Sequence, residues 1–332
     1  MKRTSKLFAY IIVFVLAFSL LCACSGSGAA DGGTGGGTNG IVADTGSDVS
    51  EVVTVPDSSG MFTDADKTPS YDAASAVAIS IDGGAVTADS DTVSALGGKA
   101  TITEPGTYIV SGSGSNVTII VDVPSVITEK VRLVLSGASI VNDDFAAIYI
   151  KSADKTFIVL EGENSLAVTG SFAAIDYNKV DGVIFAKDNV VLQGEGSLTI
   201  TSSKHGIVGK DDVKITGGTI SVTAANHGIE ANDSVRVASA SLTIVSNKNG
   251  IHVENIYDAT KGYFYMESGS LKITSGYEGI DASGAVEITG GTTDITSGDG
   301  SGKTLSSSDV STKGIKSSAD MFISGGEVST TG

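Results

Sequence analysis

The chain has no Trp and only four Pro, and aromatic residues make up 6% of its 332 positions. Any core must therefore be built from Ile, Val, Leu and Ala, which suits thin stacked layers better than a bulky globular interior. Cysteine is nearly missing: Cys22 and Cys24 are the two in the sequence. The chain beyond them can form no disulfide, so packing and backbone hydrogen bonds must supply its stability. Basic residues are few, 21 against 38 acidic, giving a net charge of −17. That argues against nucleic acid, which needs a basic footprint. It permits cation binding, although acidic surfaces also simply aid solubility. Gly, by contrast, is abundant, with 43 residues, and it recurs in register.

Val213-x-Ile215, Gly217-Gly218, Ile220-x-Val222 and His227-Gly228-Ile229 are followed 22 residues later by Val235-x-Val237, Ser239-Ala240, Leu242-x-Ile244 and Asn249-Gly250-Ile251. Later copies carry Phe264/Met266, Leu271/Ile273 and Gly279-Ile280, then Val286/Ile288 and Thr293/Ile295, then Met321/Ile323 and Val328. Upstream, Val190/Leu192 with Leu198/Ile200 and Ile207, Ile158/Leu160 with Leu166/Val168 and Ile175, and Leu133/Leu135 with Ile140 and Ile148 fit the same frame. Each copy holds three short runs with period-two alternation, a strand signal. Gly pairs mark a corner. Repeats of this length signal a solenoid, and because no copy contains a helix-length segment, a leucine-rich repeat is disfavoured. The sequence predicts an all-β, right-handed parallel β-helix with three short strands per coil and seven to eight coils, right-handed because parallel crossovers overwhelmingly are. Inward ladders should run Leu198, Ile220, Leu242, Leu271 and Ile207, Ile229, Ile251, Ile280, Ile315.

Lys2, Arg3 and Lys6 precede an apolar stretch from Leu7 to Leu21. This is the layout of a secretory signal, and it is short for a spanning helix. Leu21-Cys22-Ala23-Cys24 resembles a bacterial lipobox with Cys24 as the lipidated residue. The expected organisation is a lipoprotein signal at 1–24, a flexible Gly-rich tether at 25–40, a β cap at 41–130 and the solenoid at 131–332. The expected location is extracytoplasmic, with a lipid anchor at the bacterial membrane.

Asp188, Asp211 and Asp233 fall two residues before the first strand of successive copies, 23 and 22 residues apart. In register they would stack about 5 Å apart. Calcium, with six to eight oxygen ligands, could bridge them, with Asp212, Glu230 and Asn232 nearby. Alternatively, each Asp caps its own turn. His205 and His227 are 22 apart, hence stacked. Two imidazoles can serve zinc, yet no third ligand is evident, and solvent-facing corner residues are the plainer account of these and of His252. Lys204, Lys210 and Lys248 lie near corners, where a lyase base would be sought, but neither suitable geometry nor a lowered pKa can be read for them.

Several segments together resemble a family of secreted bacterial carbohydrate-binding β-helix proteins related in fold to pectate lyases. They include Phe62-Thr63-Asp64-Ala65-Asp66, Gly106-Thr107-Tyr108, Val131 to Gly137, Lys210 to Gly218, Lys261-Gly262-Tyr263 and Tyr277-Glu278-Gly279-Ile280. The resemblance implies polysaccharide binding, calcium between coils and no established catalytic set. It favours Glu278 with Asp281 as a second metal candidate. It also favours sugar stacking by Tyr177, Tyr257, Tyr263, Tyr265 or Tyr277, which lie in or beside insertions, where a solenoid commonly places its binding loops. The chain departs from the family where Asp-Asp-Gly-Ile is usual: it has Lys204-His205-Gly206-Ile207, Asn226-His227-Gly228-Ile229 and Lys248-Asn249-Gly250-Ile251. The expected function is non-catalytic, calcium-assisted binding of a plant cell-wall glucan or pectin-like polymer by a monomer. A calcium-dependent lyase and a structural or adhesive stalk are the alternatives.

Overall fold

The computed structural model describes residues 58–298, 300 and 311–332. The signal, Cys24, the tether and the start of the 41–130 segment lie outside the described residues. Among the described residues regular structure is nearly all strand; the α-helix is one turn, Asp64–Lys67, followed by a 3-10 turn at Ala73–Ser75. No described helix is long and apolar enough to cross a membrane.

From residue 189 the strands recur in threes: Asn189–Gly194, Ser197–Ser202 and His205–Gly209, then Asp212–Ile215, Thr219–Ala224 and Ile229–Ala231, and onward to Glu327–Thr331. Each pairs in parallel with the strand three places later. One ladder runs Leu198, Ile220, Leu242, Leu271, Thr293, Val328. Another runs Ile207, Ile229, Ile251, Ile280, Ile315. Alternation explains the burial: in Ser241–Ser246 the side chains of Leu242, Ile244 and Ser246 are buried while Ser241, Thr243 and Val245 face outward. Each fully buried Ile or Leu contributes about 1.5–3 kcal/mol of transfer free energy.

The Gly-Ile motif has a packing cause. A Cβ on Gly228 would sit 2.3 Å from Ile244 Cγ2 of the next repeat and 2.7 Å from the Gly250 carbonyl oxygen. No side chain fits where the backbone turns into the third strand. At the Gly-Gly corner the requirement is conformational: Gly218 has φ +81°. Ser239 carries φ +55° at the same corner of the next repeat, a left-handed conformation that costs a non-glycine residue about 1–2 kcal/mol.

Two features depart from expectation. Parallel stacking begins before residue 131: Gly106–Ser115 pairs in parallel with Val131–Asn142, and Lys99–Ile102 with Thr118–Asp122. Among the described residues, only the antiparallel pairings of Val77–Gly83 with Ala85–Ala88 and of Val93–Leu96 with Lys99–Ile102 have a hairpin character. Ser and Gly through 111–115 hide the alternation there, because the backbones approach closely; a Cβ on Gly112 would lie 2.2 Å from the Ile81 carbonyl oxygen. The second departure concerns Ile175, which is 50% exposed. Ile184 takes the ladder position between Ile148 and Ile207, since the insertion precedes the third strand of that repeat.

The segment 61–68 lies across the outer face of the first strands. Thr63 and Asp66 cap its helical turn reciprocally, each side chain accepting from the other's N–H. Asp66 is 0% exposed and pairs with Lys214 at 2.7 Å and Lys155 at 2.9 Å. The Thr216 hydroxyl donates to the Asp66 carbonyl oxygen, and Arg236 donates to the Met61 carbonyl oxygen at 2.8 Å. Burial opposes the Asp66 charge, but the bonds from Lys214, the Thr63 N–H and Lys155 prevail, lowering its pKa to about 2.

Candidate functional site

Three places on this scaffold concentrate chemistry. The first is the corner before the first strand of each repeat. The register Val190–Val213–Val235 puts Asp188, Asp211 and Asp233 on successive levels. Asp188 accepts the Ala153 N–H of the preceding repeat at 3.0 Å, a bond between levels and not a cap on its own turn. Asp211 and Asp233 face each other: burial, then the hydrogen bond shared with Asp233, pushes Asp211 up to about 6. The bonds from Asp211 and Lys261 outweigh burial at Asp233 and hold that carboxyl below the usual range. The two carboxyls thus compete for one proton. Asp212 is turned away to Arg236 (2.9 Å) and Ser234 (2.5 Å).

The insertion between Ile251–Val253 and Tyr263–Met266 folds over this corner. Asn255 Nδ2 donates to Asp233 at 3.1 Å and Lys261 Nζ at 2.5 Å. Asn255 Oδ1 accepts the N–H groups of Tyr257 (3.1 Å) and Asp258 (3.0 Å). The loop is therefore tied to itself and to Asp233, yet its tip is open, with Ile256 72% and Tyr257 94% exposed. Tyr257, Asn255 and Asn232 border a shallow cleft of about 260 Å³.

The second place is the corner before the third strand. His205, His227 and His252 stack face to face, with centroids 5.2 and 4.8 Å apart and rings within 20° of parallel. Solvent-facing rings were expected, but His205 is only 6% exposed. Glu230 belongs to this row rather than to the acid corner: its Oε1 accepts from Lys210 at 3.0 Å, and its Oε2 lies 3.4 Å from His205 Nδ1. Burial, reinforced by the neighbouring His252 and His205, pushes His227 down to about 3. Burial also lowers His205. Burial opposes the charge of His252 too, but the Asp281 carboxylate overrides it and raises this ring. Asp281 is spoken for, by His252 at 3.3 Å and Lys316 at 2.9 Å, and Glu278 lies 4.0 Å from the same Lys316. Those two acids are thus already matched by cations.

The third place is a trough of about 620 Å³ where Pro69 and Tyr71 overhang Glu161, Glu163 and Glu195. The Tyr71 hydroxyl donates to Glu161 at 2.5 Å, and that bond, with burial, pushes it up to about 12. Sequence reasoning missed this trough, because it joins residues about 90 positions apart and nothing in the repeat announces the overhang. Among the candidate tyrosines, Tyr177 is fully exposed and Tyr277 half-buried. Tyr263 is partly covered, with the Arg236 guanidinium 5.2 Å from its ring centroid. Tyr265 points outward from the ladder as alternation requires but is 2% exposed, because the segment 61–68 lays Phe62 against it at 5.9 Å.

These features define a parallel-strand repeat protein whose chemistry lies at corners and on insertions. A family described as carbohydrate-binding domain-containing protein matches residues 96–331, and the chain belongs to that family. A carbohydrate-binding domain-containing protein of Acetivibrio thermocellus is 41% identical over 192 residues, 56% of this chain. The chain spans 66% of that relative's length. The solved structure of the polysaccharide lyase-like protein from C. thermocellum, a gadolinium derivative, superposes with a TM-score of 0.67 at 31% identity, covering 76% of this chain and 99% of that one.

Proposed function

We propose that the protein holds polysaccharide without cleaving it, at the insertion 254–262 above the acid corner. The observation carrying this is Tyr257: a 94% exposed ring on a loop locked by Asn255 and pinned to Asp233. An aromatic face already ordered loses little entropy when a sugar ring stacks on it, and the polar groups of Asn232 and Glu254 border it for hydroxyls. Membership of a carbohydrate-binding family supports a glycan as the partner. The acidic chain favours a neutral cell-wall glucan, or a pectin-like polymer bridged by calcium. Tyr177, on its own insertion, offers a second stacking face.

Calcium fits best at Asp211 and Asp233, where two carboxylates meet and one cation, Lys261 on Asp233, accompanies them. Such a pair is short of positive charge, and a divalent cation would relieve it. Asp188, Asp212, Glu230, Glu278 and Asp281 have other partners and fit less well. The stacked repeats are read as a right-handed parallel β-helix with three strands per coil, the hand that parallel crossovers take. An extracytoplasmic monomer tethered through Cys24 completes the proposal.

Pull-down on a panel of insoluble glucans and pectins, with calcium and then with chelator, tests it. Retention on at least one polymer is expected; retention on none contradicts the proposal. Unsaturated uronate absorbance appearing on incubation with pectate would move the protein to the lyase class.

A further inference from the structure

The row before the third strand contains a feature that glycan binding does not use. Among the described residues, His205, His227 and Glu230 are the one trio of metal-ligating type whose ligand atoms all lie within 4.8 Å of one another. His205 is 6% exposed, and its Nδ1 is buried with no hydrogen-bond partner, although Glu230 Oε2 lies 3.4 Å away. A buried ring nitrogen left unpaired beside a carboxylate is costly. An ion bonded to both groups removes that cost.

We propose that His205 Nδ1, Glu230 Oε2 and the His227 imidazole bind a borderline divalent cation of the zinc class, which ties two successive repeats together. The donor set decides the class. Calcium wants six to eight oxygens, and here one carboxylate oxygen is free, since Lys210 holds the other. Zinc takes two imidazoles and a carboxylate with one open position for water. The charges about the site nearly cancel, Glu230 and Asp181 against Lys210 and Lys204, so affinity must come from coordination and not from a bare negative field.

The surroundings are consistent with that role. With Nδ1 bound to metal, the His205 proton sits on Nε2, facing Asp181 Oδ2 at 3.8 Å. A carboxylate behind a ligating imidazole fixes its tautomer, and Asp181 Oδ1 is itself buried and unpartnered. The Asn226 amide, 3.4 Å from Nε2, offers its oxygen when turned over. His227 Nδ1 accepts the Asn249 N–H at 3.2 Å; coordination forfeits that bond and leaves the N–H of a 3% exposed residue unpaired, a cost that the metal bonds must outweigh. His252 lies outside the trio whose ligand atoms come within 4.8 Å of one another, and its Nδ1 faces the Asp281 carboxylate.

The test uses the full chain, with Cys22 and Cys24 alkylated, stripped with chelator and then loaded with zinc, calcium or cobalt. After desalting, one equivalent of zinc is expected to remain, with no calcium at this row. Zinc should raise the melting temperature by several degrees, and cobalt should give the visible ligand-field absorption of a low-coordinate nitrogen–oxygen site. His205→Gln, His227→Gln and Glu230→Gln should each lose at least tenfold in zinc affinity, while His252→Gln keeps it. Zinc should also shield His205 and His227 of the unmodified protein from diethylpyrocarbonate, a readout that needs no folded variant. Failure of the wild-type protein to retain zinc, retention undiminished in His205→Gln and His227→Gln, or modification of both rings at the same rate with and without zinc overturns the site.

Discussion

Replacing Asp66 by Ala should release the segment 61–68 from the face it covers. The Lys214 side chain beneath it is 7% exposed and the Lys155 side chain 16%, so the substitution strands two largely covered charges. Breaking a buried pair by removing one partner costs about 3–5 kcal/mol. An independent figure comes from protonation. The Asp66 pKa is lowered from 3.8 to about 2, a difference of roughly 2.5 kcal/mol at about 1.4 per unit. For a lowered carboxyl the stabilisation is complete above the unfolded value and lost as pH falls through the folded one, so the segment should stay docked at pH 5 and loosen between about pH 4 and pH 2. Hydrogen exchange across 61–68 and 263–266 is the assay, with the change in total tyrosine emission, to which Tyr265 is one of nine contributors, as a secondary readout. Asp66→Ala at pH 7 and the wild type at pH 2 should both lose protection there, while the ladder strands stay protected. Wild-type protection of 61–68 in Asp66→Ala would refute the view that this ion cluster docks the segment.

Three further outcomes follow from the packing. Leu242→Ala opens a cavity between Ile220 and Leu271 and should destabilise by about 2–5 kcal/mol in denaturant titration. Ser239→Gly relieves the left-handed strain at φ +55° and should raise stability by roughly 1 kcal/mol, where Gly218→Ala lowers it. Asp211 is raised to about 6, so its charge opposes folding above that pH and the penalty is gone below about 4. Asp211→Asn should therefore stabilise the protein at pH 8 by up to roughly 3 kcal/mol, little at pH 4, and abolish any rise in melting temperature that calcium gives the wild type.

The ladders were legible in the sequence because stacking repeats in register turns a one-dimensional period directly into spatial neighbours. Leu198 through Leu271 and Ile207 through Ile315 sit where the 22-residue spacing places them. The same arithmetic predicted the Asp211–Asp233 and His205–His227 contacts. It failed where the chain leaves the period. Ile175 lost its ladder place to Ile184 because an insertion before the third strand is indistinguishable from one after it. Tyr265 was expected at the surface, since alternation says which side of a strand a residue takes but not what lies over that side. The overhang of Tyr71 and the docking of Asp66 join residues about 90 and 150 positions apart, and no period encodes such contacts. Glu230 is close to Asp233 in sequence, yet in space it meets His205 of the preceding repeat, a contact that sequence distance conceals.

The central claim is that polysaccharide is held at the Tyr257 loop. Equilibrium retention of the wild type and of Tyr257→Ala on the polymer identified by pull-down tests it directly. Tyr257 makes no side-chain hydrogen bond among those described and is 94% exposed, so the substitution should leave the melting temperature unchanged. The account predicts at least a tenfold loss of affinity, worth about 1.4 kcal/mol or more. Equal retention of the two proteins would contradict it.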